Sequence, residues 1–338
     1  MNPKERVLQA IEHQQPDWVP YQLDFTTPVA EFLQRYFGTA DLNRTLGNHI
    51  FSVGYRSAEL RRRGKEETGY LFEDEFGAVW QRHPKEDIGI VVKYPLEVPS
   101  LEGYQFPDPH AEGRFDGVAK QIEANPDLFI MGAISFSLFE RAWTLRGFEK
   151  LLADFIQEPG FVDDLLDGIL EFNLGIIDEL SDFALDGFHF GDDWGQQHGL
   201  IMGPKLWRRY IKPRVEKMYA AVKRKGLAVS IHTCGDVRQI IPDLLDAGLD
   251  VLNPVQPEAM DVNALKSEFG DKLCFWGAIS TQETLPYGTV EDVKAEVQSR
   301  IDTLGKDGGY ILGPAHAIQK DVPLENILAL IDGVRNQK

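Results

Sequence analysis

The chain reads as an α/β protein, a (β/α)8 TIM barrel with a small antiparallel β-hairpin excursion near its N-terminus. Three observations predict this. From Asp127 onward, apolar strands, polar or Gly-rich turns and amphipathic helices alternate to the end of the 338 residues, the rhythm of a parallel sheet with helical crossovers. The number of strands and the chain length favour a closed barrel over an open sheet. Between Gly69 and Val98 the rhythm gives way to short β-rich runs split by charged turns. The expectation is one barrel over residues 1–338, with 69–98 as the excursion.

Each element has its own signal. Val7, Leu8 and Ile11 fall on one face of a helix starting at Pro3, and Gln15-Pro16-Asp17 stops it. Val19-Pro20-Tyr21-Gln22-Leu23-Asp24-Phe25 reads as a strand ending in an acid. The basic run Arg61, Arg62, Arg63 and Lys65, followed by Glu66 and Glu67, reads as a solvated helix end. Tyr70-Leu71-Phe72, Gly77-Ala78-Val79-Trp80 and Ile88-Gly89-Ile90-Val91-Val92 form the excursion. Strands then follow at Leu128 to Gly132, Gly187 to Phe190, Ala228 to Ile231, Val251 to Pro254, Leu273 to Gly277 and Tyr310 to Pro314. Helical stretches between and after them run to Phe155, from Val237 to Leu245, from Val290 to Leu304 and from Leu324 to Val334.

Composition removes several function classes. With 53 acidic against 35 basic residues the net charge is -18, which repels a phosphate backbone or an anionic membrane on average. No apolar run approaches the roughly 18 to 20 residues of a transmembrane helix. Two cysteines cannot form a disulfide framework, and the N-terminus opens on charged, amphipathic sequence in place of a signal peptide, so the cytoplasm is the expected compartment. The oligomeric state is left open.

In a barrel of this kind the working residues sit at the C-terminal ends of the strands. Those positions hold Asp24, Asp192, Asp193, His232, Cys234, Gln256 and His316, which should converge on one mouth. His232-Thr233-Cys234 ends a strand, and side-chain alternation points imidazole and thiolate the same way, a pair that zinc accepts. His316, in the turn Gly313-Pro314-Ala315, is the expected third ligand. Cys274 is its rival, although its place inside a strand reads as a buried thiol. Asp192-Asp193-Trp194-Gly195 reads either as a cap for a helix starting near Gly203-Pro204 or as carboxylates orienting groups near the metal, with Trp194 as a substrate wall. His198 should approach the mouth from the following loop.

The opening Pro3-Lys4-Glu5-Arg6-Val7 with Pro16-Asp17-Trp18-Val19-Pro20, the turn Asp74-Glu75-Phe76-Gly77, the loop Gly191-Asp192-Asp193-Trp194-Gly195, then His232-Thr233-Cys234-Gly235, and Gly309-Tyr310-Ile311-Leu312 leading to Pro323-Leu324-Glu325-Asn326 together resemble the uroporphyrinogen-decarboxylase superfamily. The His-x-Cys element is similar to that of its cobalamin-dependent methyltransferase branch, whose members take zinc through a His, a Cys and a third residue near the last strand. Two departures stand out. Methyltransferases acting on coenzyme M usually carry a third-ligand cysteine where His316 stands here. The decarboxylase grips its substrate with an arginine-rich N-terminal segment, and Tyr21-Gln22-Leu23-Asp24-Phe25-Thr26-Thr27 has no arginine.

The resemblance implies a zinc-dependent methyltransferase acting between a small methylated donor and a corrinoid carried by a partner protein. Methoxylated aromatics come first as donors, because the likeness leans to O-demethylases and Trp194, Phe136 and Phe139 offer stacking surface near strand ends. The catalytic candidates are Asp193, Asp192 and Asp24; Trp194, Phe136, Gln256 and His198 are the substrate contacts; His232, Cys234 and His316 hold the metal. Two alternatives stand beside it. One is a metal-free lyase in the decarboxylase manner using Asp24, Asp193 and His316, and the other is a non-catalytic barrel that binds a small ligand.

Overall fold

The computed structural model describes residues 1–57, 61–66, 69–83 and 89–337. Seven parallel strands form one sheet in sequence order: β1 (Ile50–Val53), β2 (Phe129–Ile134), β3 (Gly187–Gly191), β4 (Ala228–His232), β5 (Val251–Val255), β6 (Cys274–Ile279) and β7 (Tyr310–Pro314). Helices follow the strands as crossovers, among them Phe139–Arg146 and Pro159–Leu180 after β2, Lys212–Arg224 after β3 and Leu324–Arg335 after β7. The helix expected to reach Phe155 is two helices, Phe139–Arg146 and Phe148–Gln157, and the one expected from Val237 begins as a short 3-10 turn before Ile241–Ala247.

The two edge strands are brought together by residues 20–25. On one side Tyr21 bridges Leu312 in parallel, with Gln22 N donating to Leu312 O at 2.9 Å and Leu312 N to Pro20 O at 2.8 Å. On the other, His49 N donates to Tyr21 O at 3.1 Å. Beyond that point side chains replace the ladder: Asn48 Oδ1 accepts from Leu23 N at 2.9 Å, and Gln22 Oε1 accepts from Ile50 N at 3.2 Å. Both side chains are buried, so these bonds stand in for backbone pairs that would otherwise be left unmet. They curl the sheet and set Asp24 at its C-terminal rim.

The N-terminal end is closed by the helix Pro3–Ile11, started by a capping box between Asn2 and Glu5. Its Val7 and Ala10 pack on Phe129, Met131, Val251, Cys274 and Ile311, which point inward from β2, β5, β6 and β7. Cys274 is thus a fully buried thiol of this closed end, which removes it as a rival metal ligand.

The excursion is larger than expected. Four antiparallel strands, Arg61–Glu66, Gly69–Glu73, Val79–Arg82 and Ile90–Lys93, make a second sheet. The basic run is therefore a strand and not a helix end, its backbone paired from Arg61 opposite Glu73 to Glu66 opposite Gly69. Glu67 and Ile88 lie outside the described residues. Phe72 stacks on Trp80 at 6.2 Å, and Trp80 meets the ring of Phe136, just past β2, edge-on at 5.6 Å. Those rings dock the small sheet at the C-terminal side of the large one. Among the described residues no helix is long and apolar enough to cross a membrane.

Phe129, fully buried in the closed end, gives the direct test of this packing. Phe129→Ala should lower the unfolding free energy by about 3–5 kcal/mol. Tyr287→Ala, at a side chain that is 82% exposed, should change it by less than about 0.5 kcal/mol. Urea unfolding followed by circular dichroism measures both.

Candidate metal centre at the mouth of the sheet

The loops after β3, β4 and β5 are locked to one another. Asp192 N donates to His232 O at 2.9 Å and Thr233 N to Asn253 O at 2.7 Å, so the parallel ladder runs past the strand ends. Trp194 N donates to Thr233 Oγ1 at 3.0 Å, and Cys234 N to Asp193 Oδ1 at 2.8 Å. Gln256 Oε1 accepts from Gly235 N. The loops approach so closely that a Cβ on Gly195 would lie 2.4 Å from Cys234 O, and one on Gly235 2.5 Å from Gln196 N. Gly235 also has a φ of 82°, so both positions require glycine.

This frame brings His232, Cys234 and His316 together, with one donor atom from each lying within 4.8 Å of the others. His232 Nδ1 donates to Asn253 Oδ1 at 2.7 Å, which leaves Nε2 as the free lone pair, 3.5 Å from Cys234 Sγ. That separation matches the edge of a tetrahedron with metal bonds of about 2.0–2.3 Å. Two imidazoles and a thiolate are a zinc donor set that leaves a fourth position open. The residues fit the metal that the sequence implied.

The electrostatics of the mouth are those of crowded acids. Burial raises the Cys234 thiol well above its ordinary range, and the negative charge of Asp193 and its hydrogen bond add to this. Burial lowers His232, partly offset by Asp193 and by its bond to Asn253. Asp24 stands at the open rim with protein around its other sides; lost hydration raises it, while Gln22, donating at 3.0 Å, and the imidazoles of His232 and His316 pull it back. Glu140, in the first turn of Phe139–Arg146, is pushed up to about 9 by burial and by the charges of Asp192 and Asp193.

The two aspartates have different tasks. Asp192 is fully buried and accepts from Leu138 N, Phe139 N, Glu140 N and Trp194 Nε1. It caps the helix Phe139–Arg146 across the sheet, and not the one near Gly203 that the sequence suggested, because β2 and β3 are neighbours and Asp192 follows β3. Even with those four donors, burial raises it to about 6. Asp193 faces the metal-binding loop.

The remaining expected contacts divide. Gln256 and His316 line one cavity of about 250 Å³ with Thr281 and Gln282. Trp194 is not a substrate wall: it is 1% exposed, packed on Trp207 at 5.3 Å, with its indole N–H held by Asp192. His198 is exposed on the turn between Gly195–Gln196 and Gly199–Leu200 and is outside the ligand group. Phe139 is core, while Phe136 lines a cavity beside β1 and β2. Sequence reading gave no role to Asn253 or Glu140. Asn253 had only a weak signal, a polar residue inside an apolar strand, and its register with His232 is known from the structure; Glu140 had none short of knowing that Asp192 crosses to its helix.

The model of the uroporphyrinogen decarboxylase (URO-D) family matches residues 77–337. The chain belongs to the URO-D family. Among curated relatives it is 32% identical over 132 residues to the methylcobamide:CoM methyltransferase MtaA of Methanosarcina barkeri, a match covering 39% of this chain and 36% of that one. It is 22% identical over 193 residues to the uroporphyrinogen decarboxylase of Psychromonas ingrahamii, covering 56% and 52%. The matched part thus spans about a third to a half of the curated relatives' length. A solved methyltransferase from Methanosarcina mazei superposes with a TM-score of 0.72 at 21% identity, over 99% of this chain and 98% of that one, a likeness of fold. In this URO-D family member the matched residues take in β2 to β7 and the whole donor group.

Two outcomes follow from the acids. Asp192→Ala should cost more than about 3 kcal/mol in urea unfolding, because four donors lose their acceptor at about 1–3 kcal/mol each, whereas Asp193→Ala should cost about 1 kcal/mol. Glu140 should still carry its proton at neutral pH, giving an infrared carboxylic-acid band that Glu140→Gln removes. Its raised value means that its linkage favours the fold at acid pH, below the ordinary carboxyl range, and is lost as pH rises toward about 9.

Proposed function

We propose that this chain is a zinc-dependent methyltransferase that moves a methyl group from a small methylated donor, first a methoxylated aromatic compound, to a corrinoid carried by a partner protein. The observation that carries the reading is the convergence of His232, Cys234 and His316 at the mouth in a chain that shares 32% identity over 132 residues with a methylcobamide:CoM methyltransferase. The same reading takes residues 1–338 as one barrel, with residues 20–25 as its eighth stave. Its cytoplasmic setting is supported by two free cysteines.

When bound, zinc supplies Lewis acidity to the heteroatom that carries the methyl group. The chain's own residues do the rest. Asn253 fixes the tautomer of His232, and Asp193 fixes the backbone from which Cys234 projects. Asp24 lies at the rim near both histidines, so its position suits it to pass a proton from solvent to the demethylated oxygen. His189, its Nδ1 2.9 Å from Ser230 Oγ and its ring 6.3 Å from that of His232, floors the site with Trp276.

A metal-free lyase is the alternative within the family, and it meets a mouth whose segment from Tyr21 to Thr27 holds no arginine for a polycarboxylate. Elemental analysis of protein purified without chelators should find about one zinc per chain, as a single three-ligand donor set implies. Cys234→Ala and His232→Ala should empty the site and Cys274→Ala should not. Zinc affinity should rise with pH, because the Cys234 thiol must lose its proton to bind. With a reduced corrinoid protein and methoxylated aromatics, corrinoid methylation followed by absorbance should occur and vanish in His232→Ala. Zinc-free protein that consumes uroporphyrinogen would overturn the proposal.

A further inference from the structure

We propose that a second cavity on the same rim binds the carboxylate of an aromatic acid, with Arg141 as its selector. The cavity, of about 370 Å³, opens beyond the ends of β1 and β2 and is lined by Tyr55, Ser57, Phe76, Ser135, Phe136 and Arg141, with Asp74 and with Glu75, whose carboxylate is taken up by Arg114 at 2.8 Å. Its volume falls in the range of small-molecule sites, and the rings of Tyr55, Phe76 and Phe136 supply apolar wall beside the polar groups.

The guanidinium of Arg141 is held in a way that leaves one edge unused. Its Cζ lies 4.2 Å from the centre of the Phe76 ring and 5.7 Å from that of Phe136, so aromatic rings cover it. Nη1 donates to Asp74 Oδ2 at 2.9 Å and to Thr144 Oγ1 at 3.3 Å. Nε and Nη2 have no protein acceptor among the described residues and are not sealed from solvent. That edge carries two parallel N–H bonds, the fork that matches a carboxylate.

Asp74 does not turn back on the ligand, because its oxygens already accept from Phe76 N, Ala78 N, Trp80 Nε1 and Arg141. A second polar group is unsatisfied there: Ser57 Oγ is buried without a partner on the wall of the same cavity. Phe136 holds a φ of +54°, the left-handed region that non-glycine residues rarely adopt. Its ring is fixed there between Trp80 at 5.6 Å and Trp143 at 6.2 Å. A backbone outlier kept in place on a cavity wall marks a preorganised surface. The cavity and the metal centre stand on neighbouring strands: Ala133 on the cavity wall pairs in register with His189, whose ring lies 6.3 Å from that of His232.

That this ligand is the methyl donor rests on the proposed function; that it binds does not. Isothermal titration calorimetry of the full chain with 4-methoxybenzoate, methoxybenzene and ethanesulfonate tests the binding without any corrinoid. The expected result is saturable binding of 4-methoxybenzoate at least tenfold tighter than of the other two. Arg141→Lys, which keeps the charge beside Asp74 but removes the fork, should weaken it at least tenfold, and Ser57→Ala at least threefold, both with an unchanged melting curve. Cys234→Ala, emptied of metal, should keep the preference for 4-methoxybenzoate over methoxybenzene. Equal binding of methoxybenzene, equal binding of ethanesulfonate, or full affinity in both Arg141→Lys and Ser57→Ala would overturn the assignment. Loss of that preference in Cys234→Ala would do so too, by placing the carboxylate on the metal. Binding that passes these tests with no methyl transfer would leave this site standing and the proposed function failed.

Discussion

The mouth depends on one buried carboxylate. Asp192 follows β3, yet its oxygens satisfy the start of the helix after β2 and the indole of Trp194, while its own N–H reaches the end of β4. A buried charge is tolerable when hydrogen bonds replace its water, and here they come from two separate pieces of the chain. The gain is positional. Three loops distant in sequence are tied to one residue, two of them through its carboxylate and the third through its N–H, and the loop carrying His232 and Cys234 inherits that rigidity.

That rigidity has an electrostatic cost, visible on the neighbours. With Asp192 and Asp193 fixed side by side, Glu140 cannot ionise cheaply and is held up to about 9, and the Cys234 thiol is raised as well. Acids gathered around two imidazoles and a thiol make a pocket that any cation relieves, since a positive charge lowers the cost of every nearby carboxylate and thiolate together. Asn253 then matters as much as the ligands themselves. By taking the Nδ1 proton it commits His232 to presenting Nε2.

Strand ends were legible in the sequence because apolar runs followed by polar turns carry their own punctuation. That is why β2 to β7, with His232, Cys234 and His316 near their ends, could be read directly. β1 could not, for it is four residues long and the helix before it, Leu42–Leu46 between the caps Asp41 and Gly47, is only five. The basic strand from Arg61 to Glu66 misled for a related reason: charge says that a segment is solvated and nothing about whether it pairs. Trp194 looked like a substrate wall from its position alone, and Asp192 like a local cap. Both errors come from reading a loop against its own neighbours in sequence, when its bonds run across the sheet.

The third ligand position gives the proposed chemistry its direction. A thiolate adds a full negative charge to a metal site and an imidazole adds none, so a donor set with His316 in place of a second cysteine carries one negative charge fewer. On the proposed reading the bound metal keeps more of its Lewis acidity. Activating an ether oxygen calls for such acidity, because neutral ether is a poor donor and its leaving oxygen must be stabilised as charge develops. A thiol substrate would bind as a thiolate and needs less. On the proposed reading, the histidine at 316, a Tyr21–Thr27 segment without arginine and the cavity around Arg141 suit a compact aryl ether better than a porphyrinogen or an alkyl thiol.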